Sequence, residues 1–411
     1  MRTPLTVMAV LFAALLGLSF LTEGGDEDRE AATQQPAAPV ETIARRVEAL
    51  RGLRFDELPR PVRVSPEQAQ RDGLRDLDRD YPEAQRRADE EILKLLGLIE
   101  PDVDLRDVSA SLFGEGVAGY YDPRDGRLRT VDGAATGTRV LAEMVLAHEL
   151  THALEDQRFG LELEELSGST DDAAIARLSL IEGVATRLMY DYVDRHFSAE
   201  ETLGGLLGSA FQDTGDLPPF LQTQVVFPYL GGEQFVAELL RRAGGEWALV
   251  NTAYRLRPPA STEQILHPDA YFDADEPRRV RLRAGRLLGD GWERAAAGTW
   301  GELQTRELLA RAGGGGSAAA AEGWGGDRYE LWRARPIVGE QCPAPCDAAD
   351  VLLMRWRWDS RADEAEFDRA LRAFAAAELG DREIAVVRRG GVVTLVLAPS
   401  ASLAERLARE A

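Results

Sequence analysis

The chain has few of the side chains that bind metals through sulfur or nucleic acids through positive charge. Its 411 residues include two cysteines, four histidines and a single lysine, Lys94. The 48 basic residues face 70 acidic ones, which gives a net charge of −22. A chain of this charge has little with which to neutralise phosphates, so nucleic acid is not an expected partner. We attribute the preference for arginine over lysine to coding bias rather than to a functional basic patch.

The two cysteines, Cys342 and Cys346, bracket the segment Pro-Ala-Pro, and no histidine lies near them. A second metal site would need more ligands than this segment offers. In an oxidising compartment the simplest interpretation is one small disulfide loop with a structural role.

Residues 1–22 predict export from the cytoplasm. An apolar run from Leu5 to Leu21 follows an arginine and precedes an acidic stretch. The run is near the lower limit for crossing a bilayer and its cleavage signature is poor, so a signal peptide and an uncleaved N-terminal anchor both remain open. No cysteine follows the run, which argues against a lipid-modified N-terminus. The chain is therefore expected outside the cytoplasm, secreted or attached to the membrane, with 23–40 as a disordered linker.

Two of the four histidines lie in one motif, HELTH, at positions 148–152. Residues four apart lie on one face of an α-helix, so His148 and His152 can direct both imidazoles at one ion while Glu149 lies beside them. Zinc binds neutral imidazole nitrogens, and a catalytic zinc site has three protein ligands and a fourth position for water. We therefore interpret the motif as a catalytic zinc site with Glu149 as general base. A helix with two satisfied core histidines is the alternative.

Apolar residues surround the motif from Val140 to Arg158, which predicts a buried helix. Asp156 follows His152 by four residues on the same face, where its carboxylate can accept the free imidazole N–H and fix the tautomer. A solvated charge in the last turn of the helix is the alternative interpretation of Asp156.

The third zinc ligand is expected on the next helix, predicted near 171–195. Glu182 lies among the apolar residues of that helix, and a buried carboxylate is costly unless it is paired or coordinated. We prefer it to Asp171 and Asp172, whose place at the helix start is a sufficient explanation. We also prefer it to Glu155, which lies on the metal helix itself.

One further histidine is a candidate for catalysis. His267 lies in the segment PPASTEQILHP, outside the metal helix. A histidine in such a place can donate a hydrogen bond to the tetrahedral oxyanion. A capping or packing role is the alternative.

The segment 111–131 predicts a β-hairpin, because two strand-like runs flank the turn sequence Asp-Pro-Arg-Asp-Gly. The strands are expected at Val117 to Asp122 and Arg127 to Val131. An edge strand beside the zinc can bind an extended peptide through main-chain hydrogen bonds. An ordinary sheet strand is the alternative for the first run.

The remaining segments predict helices around this centre and a small α+β unit after it. Helices at 41–52 and 82–96 are expected to cover the catalytic core, and Ser65 can cap a helix that begins at Pro66. The region 203–254 predicts helices interrupted at Pro218-Pro219, Pro228 and Gly231-Gly232. Beyond the low-complexity stretch at 313–326, the pattern predicts strands at 328–334, 351–358, 384–389 and 392–398, with helices at 362–379 and 402–410.

The sequence HELTHALEDQ followed by IEGVAT resembles the gluzincin arrangement, in which a second helix supplies a glutamate ligand, and the motif is close to the metal helix of thermolysin. Outside these helices the chain departs from thermolysin, because Glu182 lies farther from the metal helix and in a different local motif. The chain is more similar overall to a poorly characterised family of exported gluzincin-type proteins. That resemblance spans Tyr81 to Trp332 and rests on GVAGYYDP, the metal helix, the EG pair, PPASTEQILHP and GWGGDRY.

The resemblance implies His148, His152 and Glu182 as zinc ligands, Glu149 as general base and Asp156 behind His152. Together with the segment pattern, it leads us to expect an α+β fold in which 41–312 form a mostly helical, zincin-like catalytic domain with a small edge hairpin. Residues 313–326 are then a loop and 327–411 a small α+β domain. The predicted function is an exported zinc metallopeptidase acting on proteins or peptides. A catalytically silent zincin-fold protein that binds extended peptide segments at the cell surface is the alternative, and hydrolysis of a non-peptide amide is a third possibility.

Overall fold

The computed structural model of the chain describes residues 38–115, 119–131, 138–161, 171–202, 217–313, 316–335, 345–346, 348–380 and 382–411. The predicted export segment at 1–22 and the predicted linker up to residue 37 lie outside these ranges, as do Ser169 and Cys342. Within them, no helix is both long and apolar enough to cross a membrane.

The helices, numbered in chain order, are α1 (Val40–Arg51), α2 (Pro66–Asp80), α3 (Glu83–Leu95), α4 (Leu105–Glu115), α5 (Arg139–Phe159), α6 (Asp171–His196), α7 (Pro219–Arg242), α8 (Ala248–Arg255), α9 (Thr262–Leu266), α10 (Pro268–Asp273), α11 (Ala284–Leu288), α12 (Gly301–Ala310), α13 (Ser317–Ala321), α14 (Arg361–Glu378) and α15 (Ala401–Glu410). The strands are β1 (Val62–Val64), β2 (Gly119–Asp122), β3 (Arg127–Val131), β4 (Trp292–Gly298), β5 (Trp324–Ala334), β6 (Asp350–Trp358), β7 (Ile384–Arg389) and β8 (Val392–Leu397). The fold is therefore α+β, as predicted.

A small sheet lies against α5, the helix that carries the HELTH motif. Its strand order is β1-β3-β2, with β2 antiparallel and β1 parallel to β3. The predicted hairpin is thus confirmed, with strands at 119–122 and 127–131, and its first strand is at an edge of this sheet; residues 117 and 118 of the predicted first strand lie outside the described ranges. The sequence did not predict β1, because a three-residue strand that pairs with residues 67 positions away leaves no local pattern.

Three long helices form the centre of the molecule. Helix α5 packs against α6, and α6 packs along α7. Apolar residues of α1 also pack on this pair, where Ile43 and Val47 join Leu150, Leu154 and Leu188 in one buried cluster. Burial of these side chains stabilises the arrangement by about 2 kcal/mol for each large one.

Helix α7 is continuous where the sequence predicted breaks. It runs through Pro228 and Gly231-Gly232, so the prediction that these residues interrupt it is wrong. The packing gives the reason: a Cβ atom on Gly232 would lie 2.0 Å from the carbonyl oxygen of Ser179 on α6. Glycine is required at this position because the two helix backbones touch. Its low helix propensity destabilises α7 by less than the close packing of the two helices stabilises it.

The second sheet is antiparallel, with strand order β4-β5-β6-β8-β7. Successive residues of β6 point to opposite faces, and both faces are covered: Leu352 and Met354 face one core, whereas Val351 and Leu353 face another, under α11 and α15. Strand β4, which the sequence did not predict, precedes the low-complexity stretch, and α13 and the start of β5 lie inside it. The sheet therefore draws strands from both sides of 313–326.

Candidate metal centre

Helix α5 holds the HELTH motif in a buried setting. The side chain of Thr138 accepts a hydrogen bond from Leu141 N at its start, and Gly160 at positive φ follows its end. Between them His148 and Glu149 are 2% and 3% exposed. The helix therefore presents the predicted general base and one imidazole to a site from which bulk water is largely excluded.

Helix α6 brings Glu182 to the two imidazoles. Its carboxylate Oε2 lies 3.2 Å from His148 Nε2 and 3.4 Å from His152 Nε2, and the two nitrogens are 3.0 Å apart. Three possible ligand atoms from two helices thus converge on one point. Among the described residues this is one of two groups of three metal-binding side chains, and the other consists of Glu263, Asp275 and Asp359.

The donor set fits a zinc ion. Zinc binds imidazole nitrogen at about 2.0–2.1 Å and carboxylate oxygen at about 2.0–2.2 Å, so tetrahedral ligands lie about 3.4 Å from one another. The observed separations of 3.0–3.4 Å match that triangle closely. Two neutral nitrogens and one carboxylate also suit zinc better than they suit calcium or magnesium, which prefer oxygen ligands.

The electrostatics of the three groups favour an ionised carboxylate. Burial raises the pKa of Glu182, but the charge of His152 and hydrogen bonds to both imidazoles outweigh it and bring the pKa to about 2. Burial lowers the pKa of His152, but Glu182 outweighs it and raises the pKa to about 9. The pKa of His148 is lowered, chiefly by burial. A metal ion that binds here must therefore displace a proton from His152.

The general-base candidate is held by the edge strand. Tyr121 N on β2 donates a 2.8 Å hydrogen bond to Glu149 Oε2, which fixes this carboxylate beside the donor triangle. Burial is the main reason that the pKa of Glu149 is raised to about 8, and the charge of Glu182 adds to it. A carboxylate with a pKa near neutrality can both accept and return a proton.

Asp156 does not have the predicted partner. Its Oδ2 accepts a hydrogen bond from the Tyr121 hydroxyl (2.7 Å) and its Oδ1 accepts one from Leu161 N (2.8 Å). Among the described residues it makes no hydrogen bond to His152, so the prediction that it fixes the tautomer of that imidazole is wrong. The spacing of four residues places both side chains on one face, but Tyr121 reaches Asp156 from the hairpin and binds it there. Asp156 instead anchors β2, the strand that holds Glu149.

His267 is paired with a residue outside the donor triangle. Its Nε2 lies 2.9 Å from Oε1 of Glu302, a fully buried carboxylate on α12. The hydrogen bond to Glu302 raises the pKa of His267. The nearby Thr262 is bonded to Asp172, which is ten residues and about 15 Å along α6 from Glu182. The predicted role of His267 as an oxyanion donor is therefore wrong. His267 is paired with Glu302 near the start of α6 and does not contact the donor triangle.

The acids that we rejected as ligands have other partners. Glu155 forms a buried ion pair with Arg51 of α1, and its side chain is 1% exposed. Asp172 accepts hydrogen bonds from the backbone and hydroxyl of Thr262. Asp171 accepts one from the hydroxyl of Tyr329. Each of these carboxylates stabilises contacts between elements instead of meeting the two histidines.

Tyr229 is a member of the site that the sequence did not reveal. It lies on α7, its hydroxyl is hydrogen-bonded to Glu182, and its ring stacks on that of His148 with 6.0 Å between centroids. Burial and the charge of Glu182 raise its pKa well above the ordinary value. A signal was present: Gly183 directly follows Glu182 and Gly232 follows Tyr229 by three residues, and glycines on two helices indicate that their backbones meet.

Cys346 is disulfide-bonded, and Cys342, the only other cysteine of the chain, lies outside the described residues. This part of the chain is separate from the donor triangle in sequence and is connected to the second sheet: Cys346 N donates a hydrogen bond to the side chain of Asp350 at the start of β6.

Comparison with known proteins gives one match. Residues 286–408 match the model of a domain of unknown function, DUF8575. This region begins inside α11, includes the second sheet and ends inside α15, and it does not include the HELTH motif or Glu182. No curated protein and no solved structure matches the chain.

Proposed function

We propose that the chain is an exported zinc-dependent metallopeptidase of the gluzincin type, with a zincin-like arrangement of α5, α6 and the β2 edge. One observation carries the proposal: Nε2 of His148, Nε2 of His152 and Oε2 of Glu182 lie within 3.0–3.4 Å of one another, with Glu149 on the same helix. A zinc ion would join these three donor atoms in place of the proton that His152 otherwise carries.

His148, His152 and Glu182 would hold the zinc ion. A zinc ion bound there supplies Lewis-acid polarisation of a carbonyl group and makes a water molecule more acidic. Glu149 then accepts the proton of the attacking water and gives it to the leaving amine, for which a pKa near 8 is suitable. Tyr121 N keeps Glu149 oriented during both transfers, because it binds one carboxylate oxygen and leaves the other free for the proton.

The edge strand supports a peptide as substrate. Strand β2 has β3 on one side, and it lies directly beside α5 through Tyr121 and Glu149. An extended peptide that pairs with this edge would be bound through its main chain, which requires no particular side chain. A protein or peptide substrate therefore fits the site better than a compact non-peptide amide.

The test combines metal content with cleavage. Purified protein should contain zinc and cleave members of a diverse peptide library, and a chelator should abolish cleavage. E149Q should keep the zinc and lose cleavage, because glutamine fills the same space but cannot accept the proton. H148A should lose both. Full activity of E149Q would refute the proposed mechanism.

A catalytically silent zincin-fold protein that binds extended segments at the cell surface is the second candidate, and the position of β2 at the end of its sheet is the observation in its favour. Protein with stoichiometric zinc that binds library peptides but cleaves none of them would support this candidate. The two functions share a location: the apolar run at 5–21 supports a place outside the cytoplasm, secreted or attached to the membrane.

A further inference from the structure

The second sheet carries a cleft rich in arginine, although the chain as a whole is acidic. Its volume is about 900 Å³, and seven of the residues that line it are arginines, against two acids. Five of these arginines come from one segment, 277–286, with the sequence PRRVRLRAGR and no acidic residue. A general preference for arginine over lysine does not explain a local excess of positive charge in a chain of net charge −22.

The segment is fixed in place at both ends. Arg278 N donates a hydrogen bond to the carbonyl of Gly325 in β5, and Arg283 N donates one to the carbonyl of Ala411 at the end of the chain. Gly285 packs tightly on the ring of Trp332, where a Cβ atom would lie 2.7 Å from the indole. The cleft wall is therefore preorganised, which reduces the entropy lost when a ligand binds.

Three of the arginines are already paired with acids. Arg294 and Arg328 both approach Glu330, at 3.3 Å and 4.0 Å. Arg278 pairs with Asp359 at 3.0 Å. The other acid of the cleft, Asp327, accepts hydrogen bonds from Trp300 N and Gly301 N at the start of α12, so it is not available to the remaining arginines.

The other four arginines have no acidic partner among the described residues: Arg279, Arg281, Arg283 and Arg286. All four are exposed. Four unpaired guanidinium groups along one short segment repel one another, and an anion that binds them together relieves this repulsion. The guanidinium fork also forms paired hydrogen bonds with phosphate and carboxylate oxygens.

We propose that this cleft binds a compact anion with about two phosphate groups, because the oxygens of one phosphate can accept hydrogen bonds from two guanidinium groups and two phosphates therefore match four of them. The cleft has the volume of a small-molecule site. The net charge of −22 disfavours a long polyanion, whose distant charges would meet acidic surface. The source is either a free oligophosphate or the head group of a lipid. This proposal does not depend on peptidase activity.

The experiment uses the purified full-length chain and two probes. Titration calorimetry with pyrophosphate tests the free source, and sedimentation with phosphatidylcholine vesicles containing cardiolipin, whose head group has two phosphates, tests the lipid source. R279Q/R281Q removes two of the unpaired charges from the cleft. The matched control is R369Q/R389Q, which removes two exposed arginines that also lack an ion-pair partner among the described residues but do not line the cleft.

We expect R279Q/R281Q to weaken binding of at least one probe more than tenfold, whereas the control and the wild type bind alike. Loss of pyrophosphate binding would identify a free oligophosphate, and loss of cardiolipin-dependent sedimentation alone would identify a lipid head group. The variant should unfold at the wild-type temperature, because the side chains of Arg279 and Arg281 are exposed and make no ion pair with the part of the chain that the structure describes. The proposal is overturned if neither probe binds, if R279Q/R281Q and the control lose binding equally, or if citrate binds as tightly as pyrophosphate.

Discussion

The contact between Gly183 and Gly232 leads to a specific prediction about the candidate metal centre. Gly183 directly follows Glu182 on α6, and a Cβ atom on Gly183 would lie 2.2 Å from the carbonyl carbon of Gly232 on α7. Ordinary contact begins at 3.4 Å, so in G183A the two helices must separate by about 1 Å. The Cβ atom is fixed to the backbone of α6 and the atoms that it meets are backbone atoms of α7, so no flexible side chain can turn away.

Two opposing terms determine the size of the effect. Alanine favours a helix over glycine by about 1 kcal/mol. Overpacking of backbone against backbone costs about 3 kcal/mol, at the upper end of the usual range. The collision therefore outweighs the propensity, and G183A should lower the free energy of unfolding by about 2 kcal/mol. The shift also moves Glu182 and Tyr229, so zinc affinity should fall by about tenfold or more.

Chemical denaturation measures the stability, and competition with a chromophoric chelator measures the zinc affinity. G291A is the matched control, because a Cβ atom there has nothing within 4 Å and the backbone is not at positive φ. Its stability should stay within about 0.5 kcal/mol of the wild type. Wild-type stability and full zinc affinity in G183A would show that α6 and α7 do not meet as described, and the reasoning would be refuted.

Three further predictions concern buried charge. R51A should lower the free energy of unfolding by about 3–5 kcal/mol, because it leaves Glu155 buried and unpaired, and R51M/E155M should recover much of that loss in the same denaturation assay. Zinc affinity should fall about tenfold for each pH unit below 9, because zinc must displace the His152 proton while Glu182 stays ionised; a chelator competition that gives equal affinity at pH 6 and pH 8 would contradict this. Burial and the charge of Glu302 raise the pKa of Glu263 from 4.5 to about 9, so the contribution of this carboxyl group to stability is complete below pH 4.5 and is lost as the pH rises toward 9. The melting temperature of E263Q should therefore fall less between pH 5 and pH 8 than that of the wild type. An equal fall in both proteins would exclude Glu263 as the cause.

Much of the fold was predictable because its signals are local. The apolar pattern predicted α5 and α6 to within two residues, the turn sequence predicted the hairpin, and Ser65 caps α2 as expected. The four strands after residue 323 were found because β-branched and aromatic residues are dense there. Strand β4 was missed, since its sequence WERAAAG has no strand pattern and only pairing with β5 makes it a strand.

The site was predictable where one helix determines the geometry and not where distant segments meet. Spacing within one turn placed His148, Glu149 and His152 together, and an acid amid the apolar residues of the next helix indicated Glu182. The expected partner of Asp156 was wrong because Tyr121, from another element, binds it. Tyr229 was missed for the same reason, since its place depends on a helix contact that no local pattern encodes.

The most direct test of the central claim is the metal content and coordination of the purified chain, measured by elemental analysis and X-ray absorption. We predict one zinc ion per chain with two imidazoles and a carboxylate oxygen at about 2.0–2.2 Å, lost in E182A and kept in E149Q. A chain that binds no zinc, or an E182A variant that keeps the wild-type coordination, would contradict the account.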